Sequence, residues 1–147
     1  LAPFEGHPSA DFWLHSAPFD VRHVEGSIFL GPDAQPRPYQ SAWMRVRQPI
    51  GGTELTHRAL LAFGCDQVML EPLLRRHGAS WASRDMAFAS LDHAMWWHRP
   101  ARADEWLLFA QDAPTAQGGR GLTGTWIFSE DGRLVASASQ EGMFRLN

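Results

Sequence analysis

Three polar side chains in this sequence interrupt runs that are otherwise apolar: the carboxylate of Asp66, the hydroxyl of Ser90 and the amide of Gln140. Between Glu54 and Arg76 the residues Leu55, Ala59, Ala62, Phe63, Leu70 and Leu73 recur at helical spacing, and Asp66 lies one turn from Ala62 and from Leu70 on that stripe. A carboxylate on a buried stripe loses hydration, so it demands a neutral proton state or hydrogen bonds from elsewhere in the fold. Ser90 follows Met86 and Phe88 on one face of a strand pattern. Gln140 breaks an apolar face made by Leu134, Ala136, Ala138 and Phe144, whose neighbours Arg133, Ser137, Ser139, Glu141 and Arg145 are mostly polar. Each of the three alone reads as a buried polar group bonded to nearby backbone. Together, entering one apolar layer from three elements, they read as a site that holds a water molecule.

Other residues that could do chemistry read as structural. Cys65 adjoins Asp66, but a small thiol inside an apolar helix belongs to the core rather than to a nucleophile. Asp92 and His93 resemble an acid and base pair, yet adjacent residues of one strand face opposite ways and form no dyad without a bulge. The seven histidines lack metal-ligand spacing, so neither a metal nor a cofactor is expected.

The elements that must position these groups follow from the pattern. Residues 1–18, with three prolines and no clean period, read as a linker or docking segment, and residues 19–147 as a single domain. Phe19 to Glu25 is a first strand, Gly26 to Pro38 a loop, and Tyr39 to Gln48 a second strand. Gly51 and Gly52 turn the chain, Thr53 is placed to cap a long helix, Pro72 should kink it beyond Asp66, and Gly78 ends it. Strands over 86–98, 104–114, 119–129 and 133–146 follow, with Glu130-Asp131-Gly132 as the tightest hairpin turn. One long helix and then an antiparallel meander is an α+β pattern in which the sheet wraps the helix.

Composition narrows the function classes. At 147 residues and 44% hydrophobic, the chain is one domain with a real core, neither disordered nor membrane-spanning. A net charge of −3 with 13 scattered arginines gives no basic footprint for nucleic acid. One cysteine excludes an internal disulfide and fits a reducing compartment such as the cytoplasm.

The runs Ser90-Leu91-Asp92-His93-Ala94-Met95-Trp96-Trp97-His98-Arg99-Pro100, Asp104-Glu105-Trp106-Leu107-Leu108, Gly119-Arg120-Gly121 and Leu134-Val135-Ala136-Ser137, leading to Gln140-Glu141-Gly142, resemble the C-terminal half of the type II acyl-CoA thioesterases. The resemblance covers most of residues 19–147. It implies a hotdog fold, an antiparallel sheet wrapped around one long central helix, in a family whose two hotdog halves pair into one continuous sheet. It also implies that the catalytic Asp, Ser or Thr, and Gln fall on Asp66, Ser90 and Gln140, and that the substrate is an acyl-CoA, hydrolysed either by a water that Asp66 activates with Ser90 and Gln140 or by direct attack of the Asp66 carboxylate through an anhydride. The chain departs from the family in lacking the N-terminal half, so its expected partner is such a half, on the same or a separate chain, or a second copy joined by edge-strand pairing. Serine stands at 90 where some members have threonine, which keeps the hydroxyl and loses the methyl that stiffens the rotamer. Trp96, Trp97, Trp106 and Trp126 could line an acyl tunnel, although packing is the commoner use of such rings. Two other readings remain open: a hotdog enoyl-thioester hydratase, which would need a His and Asp acting together, and a non-catalytic acyl-binding or dimerisation module.

Overall fold

The computed structural model describes Gly6, residues 11–84 and residues 86–146. Of the segment 1–18, residues 1–5 and 7–10 lie outside the described residues. The rest of it is docked: Phe12–Ser16 forms a π-helical turn, Arg47 donates to the Leu14 carbonyl at 2.6 Å, and Ala17 is buried. Strands β1 (Phe19–His23) and β2 (Tyr39–Val46) precede helices α1 (Glu54–Val68) and α2 (Glu71–Arg76). Strands β3 (Met86–Ser90), β4 (Ala94–Trp97), β5 (Leu107–Gln117), β6 (Arg120–Ser129) and β7 (Leu134–Leu146) follow. All seven strands join one antiparallel sheet in the order β1-β2-β5-β6-β7-β3, with β4 also paired to β7. The sheet curls around the helical segment, which is the hotdog arrangement that the resemblance implies.

The helical segment departs from the expected stripe. Its buried face is His57, Leu61, Gly64, Cys65 and Val68, whereas Leu55, Ala59, Phe63 and Asp66 are exposed. The helix is apolar on two sides, and the side carrying Gly64 and Cys65 wins because small residues let it approach the sheet. A Cβ at Gly64 would lie 2.9 Å from the ring of Phe19, so no larger residue fits that approach. The kink expected from Pro72 falls just before it: the hydrogen-bonded helix is interrupted at Met69 and Leu70, which keep right-handed helical backbone angles, and Pro72 sits in the first turn of α2, where its missing donor costs nothing. Thr53 occupies the N-cap position without a side-chain hydrogen bond. At the other end Ala79 donates to Leu74 and Gly78 to Arg75, a Schellman closure.

Side chains on that inner face form one apolar cluster with Phe19, Met44, Leu107, Phe109, Ile127 and Ala136. A second cluster lies under α2, with Ile28, Leu70, Leu73, Leu74, Ala113 and Phe144. Between them is a buried polar network. The fully buried Glu71 carboxylate faces His23 Nε2 at 2.7 Å and accepts from Gln40 Nε2 at 2.6 Å and Trp81 Nε1 at 3.0 Å. Arg75, also fully buried, donates to Gln40 Oε1 at 2.7 Å and to both Asp33 oxygens at 2.7 and 2.8 Å. Burial alone would raise the Glu71 pKa; the charge of His23, then hydrogen bonds from His23, Trp81 and Gln40, outweigh it and hold the pKa below the ordinary value of 4.5.

Two strand expectations change. The tightest hairpin is the two-residue turn Gly118-Gly119, between paired Gln117 and Arg120, with φ of +62° and +78° that only glycine adopts at no cost. The turn at Glu130-Asp131-Gly132 has three residues. Strand β5 begins at Leu107 rather than 104, because Asp104 accepts the Ile50 amide at 2.7 Å and holds residues 98–106 as a loop.

Candidate active site

The expected strand over 86–98 is two strands, and the interruption builds the site. Ser90 pairs with Gly142 and Ala94 with Ser139, so Leu91, Asp92 and His93 oppose only Gln140 and Glu141. One extra residue on one strand is a β-bulge, and it restarts the alternation with the opposite parity. The bulge is well bonded: the Leu91 amide donates to the Glu141 carbonyl at 2.9 Å, and the Glu141 amide donates to the Asp92 carboxylate at 2.8 Å. Asp92 therefore acts on the backbone. The parity argument that set Asp92 and His93 on opposite faces of an unbroken strand does not apply here, and the two form no dyad because Asp92 is engaged with Glu141.

Gln140 lies on the inner face of β7, fully buried, with Ser90 diagonally across from it and His93, at the far end of the bulge, on the same neighbouring segment. Its Nε2 donates to Ser90 Oγ at 2.7 Å and to Asp66 Oδ1 at 3.1 Å. Ser90 Oγ donates in turn to Asp66 Oδ1, at a long 3.4 Å. The three residues singled out from the sequence thus meet at one point, reached from α1, β3 and β7. Their surroundings differ from expectation, since Asp66 and Ser90 are exposed in this chain and only Gln140 is buried. The carboxylate is not desolvated, because it lies on the flank of α1 that faces the open edge of the sheet rather than its interior.

Sequence reasoning missed His93, whose Nδ1 lies 2.5 Å from Gln140 Oε1. The only signal was the Asp92-His93 pair itself, and strand parity argued against it. Cys65, one residue from Asp66, is buried in the apolar cluster. Burial, and then the neighbouring Asp66 charge, push its thiol well above the usual range, which suits packing and not nucleophilic attack. Among the described residues no group of three or more His, Cys, Asp or Glu side chains could hold a metal.

A cavity of about 260 Å³ opens at the site, lined by Asp66, Leu70, Trp81, Phe88, Ala89 and Ser90 among others. Trp81 joins it to the buried network through its bond to Glu71 and packs edge-on against Phe88, with ring centroids 4.9 Å apart. A larger cavity of about 580 Å³ lies at the N-terminal end of α1, lined by His57, Arg99, Arg102 and Leu107 among others. It contains none of Asp66, Ser90 and Gln140, so the smaller one is where the chemistry is concentrated. The four tryptophans considered for an acyl tunnel lie elsewhere: Trp96 and Trp126 are exposed on the outer face opposite Ser137, Trp97 packs against the core, and Trp106 lies under Arg22 and Arg45.

A family model described as the acyl-CoA thioesterase C-terminal domain matches residues 2–144. Acyl-coenzyme A thioesterase 8 of Homo sapiens is 37% identical over 130 residues, covering 88% of this chain and 40% of that protein. Acyl-CoA thioesterase 2 of Haemophilus influenzae is 31% identical, covering 78% and 46%. The crystal structure of an acyl-CoA thioesterase II, TesB2, from Mycobacterium marinum superposes with a TM-score of 0.74 at 40% identity, over 88% of this chain and 50% of that one. A hot dog fold protein from Alicyclobacillus acidocaldarius, at 19% identity and a TM-score of 0.67 over 88% of this chain and 46% of that one, supports the fold alone. The chain spans less than half the length of the curated relatives it matches.

Proposed function

The chain belongs to the acyl-CoA thioesterase C-terminal domain family, and from that premise we propose that it hydrolyses acyl-CoA thioesters to free fatty acid and CoA, with Asp66, Ser90 and Gln140 as the reacting site. The observation that carries this reading is the meeting of a carboxylate, a hydroxyl and an amide within 2.7–3.4 Å of one another. Both of these hydrogen bonds to Asp66 end on Oδ1, which orients the carboxylate and turns Oδ2 toward an incoming water. Asp66 takes a proton from that water as the water oxygen attacks the thioester carbonyl carbon. The carbonyl electrons move to oxygen, and collapse of the tetrahedral adduct breaks the C–S bond. The proton held by Asp66 then passes to the departing thiolate, leaving a carboxylic acid and CoA. Ser90 Oγ, which keeps a free lone pair, accepts the water's other hydrogen, Gln140 Nε2 gives its two hydrogens to Ser90 and Asp66 and so holds both in place, and backbone amides near the helix stabilise the oxyanion. Leu70, Trp81 and Phe88 offer apolar walls to the substrate next to the scissile bond.

The site is completed by a partner. Asp66 and Ser90 lie exposed beside Phe63 and Leu91, which are 54% and 51% exposed, while Leu55 is 75% exposed on the same helix. Among the described strands β3 and β4 pair only with β7, so their outer edge is open. An apolar surface and a bare edge together favour a second hotdog half, on the same or a separate chain, or a second copy, joined by edge-strand pairing. A cytoplasmic location belongs to the same proposal, supported by the single buried thiol. No helix among the described residues is long and apolar enough to cross a membrane.

Release of CoA from a series of acyl-CoAs, followed with a thiol reagent, tests the activity. Hydrolysis across part of the series supports it. No release at any chain length would leave the acyl-binding module, and addition of water to an enoyl thioester without CoA release would favour the hydratase. Light scattering and turnover along a dilution series test the partner: activity should fall as the assembly dissociates, and a fully active monomer would rule the seam out.

A further inference from the structure

We propose that His93 is a positioning residue of this site: its Nδ1–H donates to Oε1 of Gln140 and so fixes which end of the amide faces Asp66 and Ser90. The inference deepens the thioesterase reading and rests on it for its kinetic consequences. It begins with the bulge. In an unbroken strand Ser90 and His93, three residues apart, would face opposite sides of the sheet. The extra residue among Leu91, Asp92 and His93 turns both toward Gln140, and the Asp92 carboxylate holds that bulge by accepting the Glu141 amide at 2.8 Å.

The direction of each bond follows from what the partners can do. Asp66 Oδ1, 3.1 Å from the Gln140 amide, is an acceptor, so the NH₂ end must face it. The oxygen end then faces His93 Nδ1 at 2.5 Å, and Nδ1 must carry the proton. His93, Gln140, Ser90 and Asp66 thereby form one directed chain of donors, with bonds of 2.5 Å into Gln140, 2.7 Å from Gln140 to Ser90 and 3.4 Å from Ser90 to Asp66.

His93 matters most when Asp66 stops enforcing this arrangement. As an ionised carboxylate, Asp66 repels the amide oxygen and keeps NH₂ toward itself. Once Oδ2 holds the proton taken from water, the negative charge on Oδ1 that enforced this orientation is gone, and a flipped Gln140 costs less. Such a flip would withdraw both Nε2 donors from the reacting centre during the step in which the proton must move on to the thiolate. The Nδ1–H of His93, bonded to Oε1 while Asp66 faces the Nε2 end, opposes the flip throughout. Its effect therefore belongs in kcat, with little change in KM.

The geometry also sets the variants. The Nδ2 of asparagine can stand where His93 Nδ1 stands, whereas the amide of glutamine reaches the position of Nε2. In the assembled protein, His93→Ala should lower kcat by about 10- to 100-fold with KM within about twofold. His93→Asn should restore most of the loss and His93→Gln should not. In a Gln140→Ala background, His93→Ala should cost little more, because the group it orients is gone. Nitrogen-15 NMR of the His93 ring gives a readout that needs no turnover: Nδ1 should carry a proton in the unaltered protein and lose its protection from exchange in Gln140→Ala. An Nδ1 without a proton, an unchanged kcat in His93→Ala, or rescue by Gln rather than Asn would overturn the proposal, the last by assigning the role to Nε2. Absence of CoA release from the unaltered protein would instead refute the thioesterase reading, and the NMR result would still decide whether His93 orients Gln140.

Discussion

Replacing Asp66 by asparagine separates the chemistry of the site from its architecture. The Asp66→Asn side chain keeps an oxygen where Oδ1 now accepts from Gln140 at 3.1 Å and Ser90 at 3.4 Å, so the polar contacts survive, while no group is left to take the water's proton. A positioned base contributes about 10²–10⁴ in rate, equivalent to about 2.7–5.4 kcal/mol of transition-state stabilisation. Stability should hardly move. Asp66 is exposed rather than buried, so the substitution relieves no buried charge and should stay within about 0.5 kcal/mol, or about 1–2 °C in Tm for a chain of this size. CoA release by the assembled protein and thermal unfolding of this chain, read side by side, make the test. Turnover within about threefold of the unaltered protein would refute Asp66 as the base, against the roughly 10² expected at least. A fall in Tm of about 5 °C or more would refute the solvent-facing placement of its side chain.

The buried network makes the acid limit of stability a property of Glu71. Because its pKa is lowered in the fold, its contribution is fully present above 4.5 and is lost as pH falls through the lowered value; Glu71→Gln should flatten that acid limb of the Tm-against-pH curve, and an unchanged limb would place the titration elsewhere. Glu71→Ala, which strips partners from His23, Gln40 and Trp81 at once, should cost about 3–5 kcal/mol in denaturant unfolding. At Gly121 a Cβ would lie 2.2 Å from Leu73 Cδ2, and Leu73 is itself fully buried; Gly121→Ala should cost about 1–3 kcal/mol, seen as a Tm lower by several degrees, and an unshifted Tm would mean that α2 packs less tightly than described. Cys65, buried with its thiol pushed up, should resist a thiol reagent until the protein unfolds; rapid native labelling would contradict its place in the core.

What the sequence determined by itself was whatever depends on local pattern. Period-two alternation from Leu134 to Phe144 located β7 and exposed Gln140 as the polar member of its inner face, which is where it lies. Proline marked the kink between α1 and α2 and glycine the end of α2, since a missing donor and a helix stop are properties of a residue and its near neighbours. Asp66, Ser90 and Gln140 were reached as polar exceptions to apolar patterns and through the family resemblance; their side chains do lie within 2.7–3.4 Å of one another, although Asp66 and Ser90 are exposed rather than on buried faces. The buried face of α1 was decided only by tertiary structure: periodicity reports that Leu55, Ala59 and Phe63 form an apolar stripe, but not that the sheet instead covers Leu61, Gly64, Cys65 and Val68. The place of His93 was likewise settled between strands. A bulge is a mismatch in the count of paired residues, three on one strand against Gln140 and Glu141 on the other, and no reading of either strand alone contains it. The buried pairing of Glu71 with His23, Gln40 and Trp81 joins β1, β2, α2 and the turn at Trp81, so it exists only once the sheet has closed around the helix.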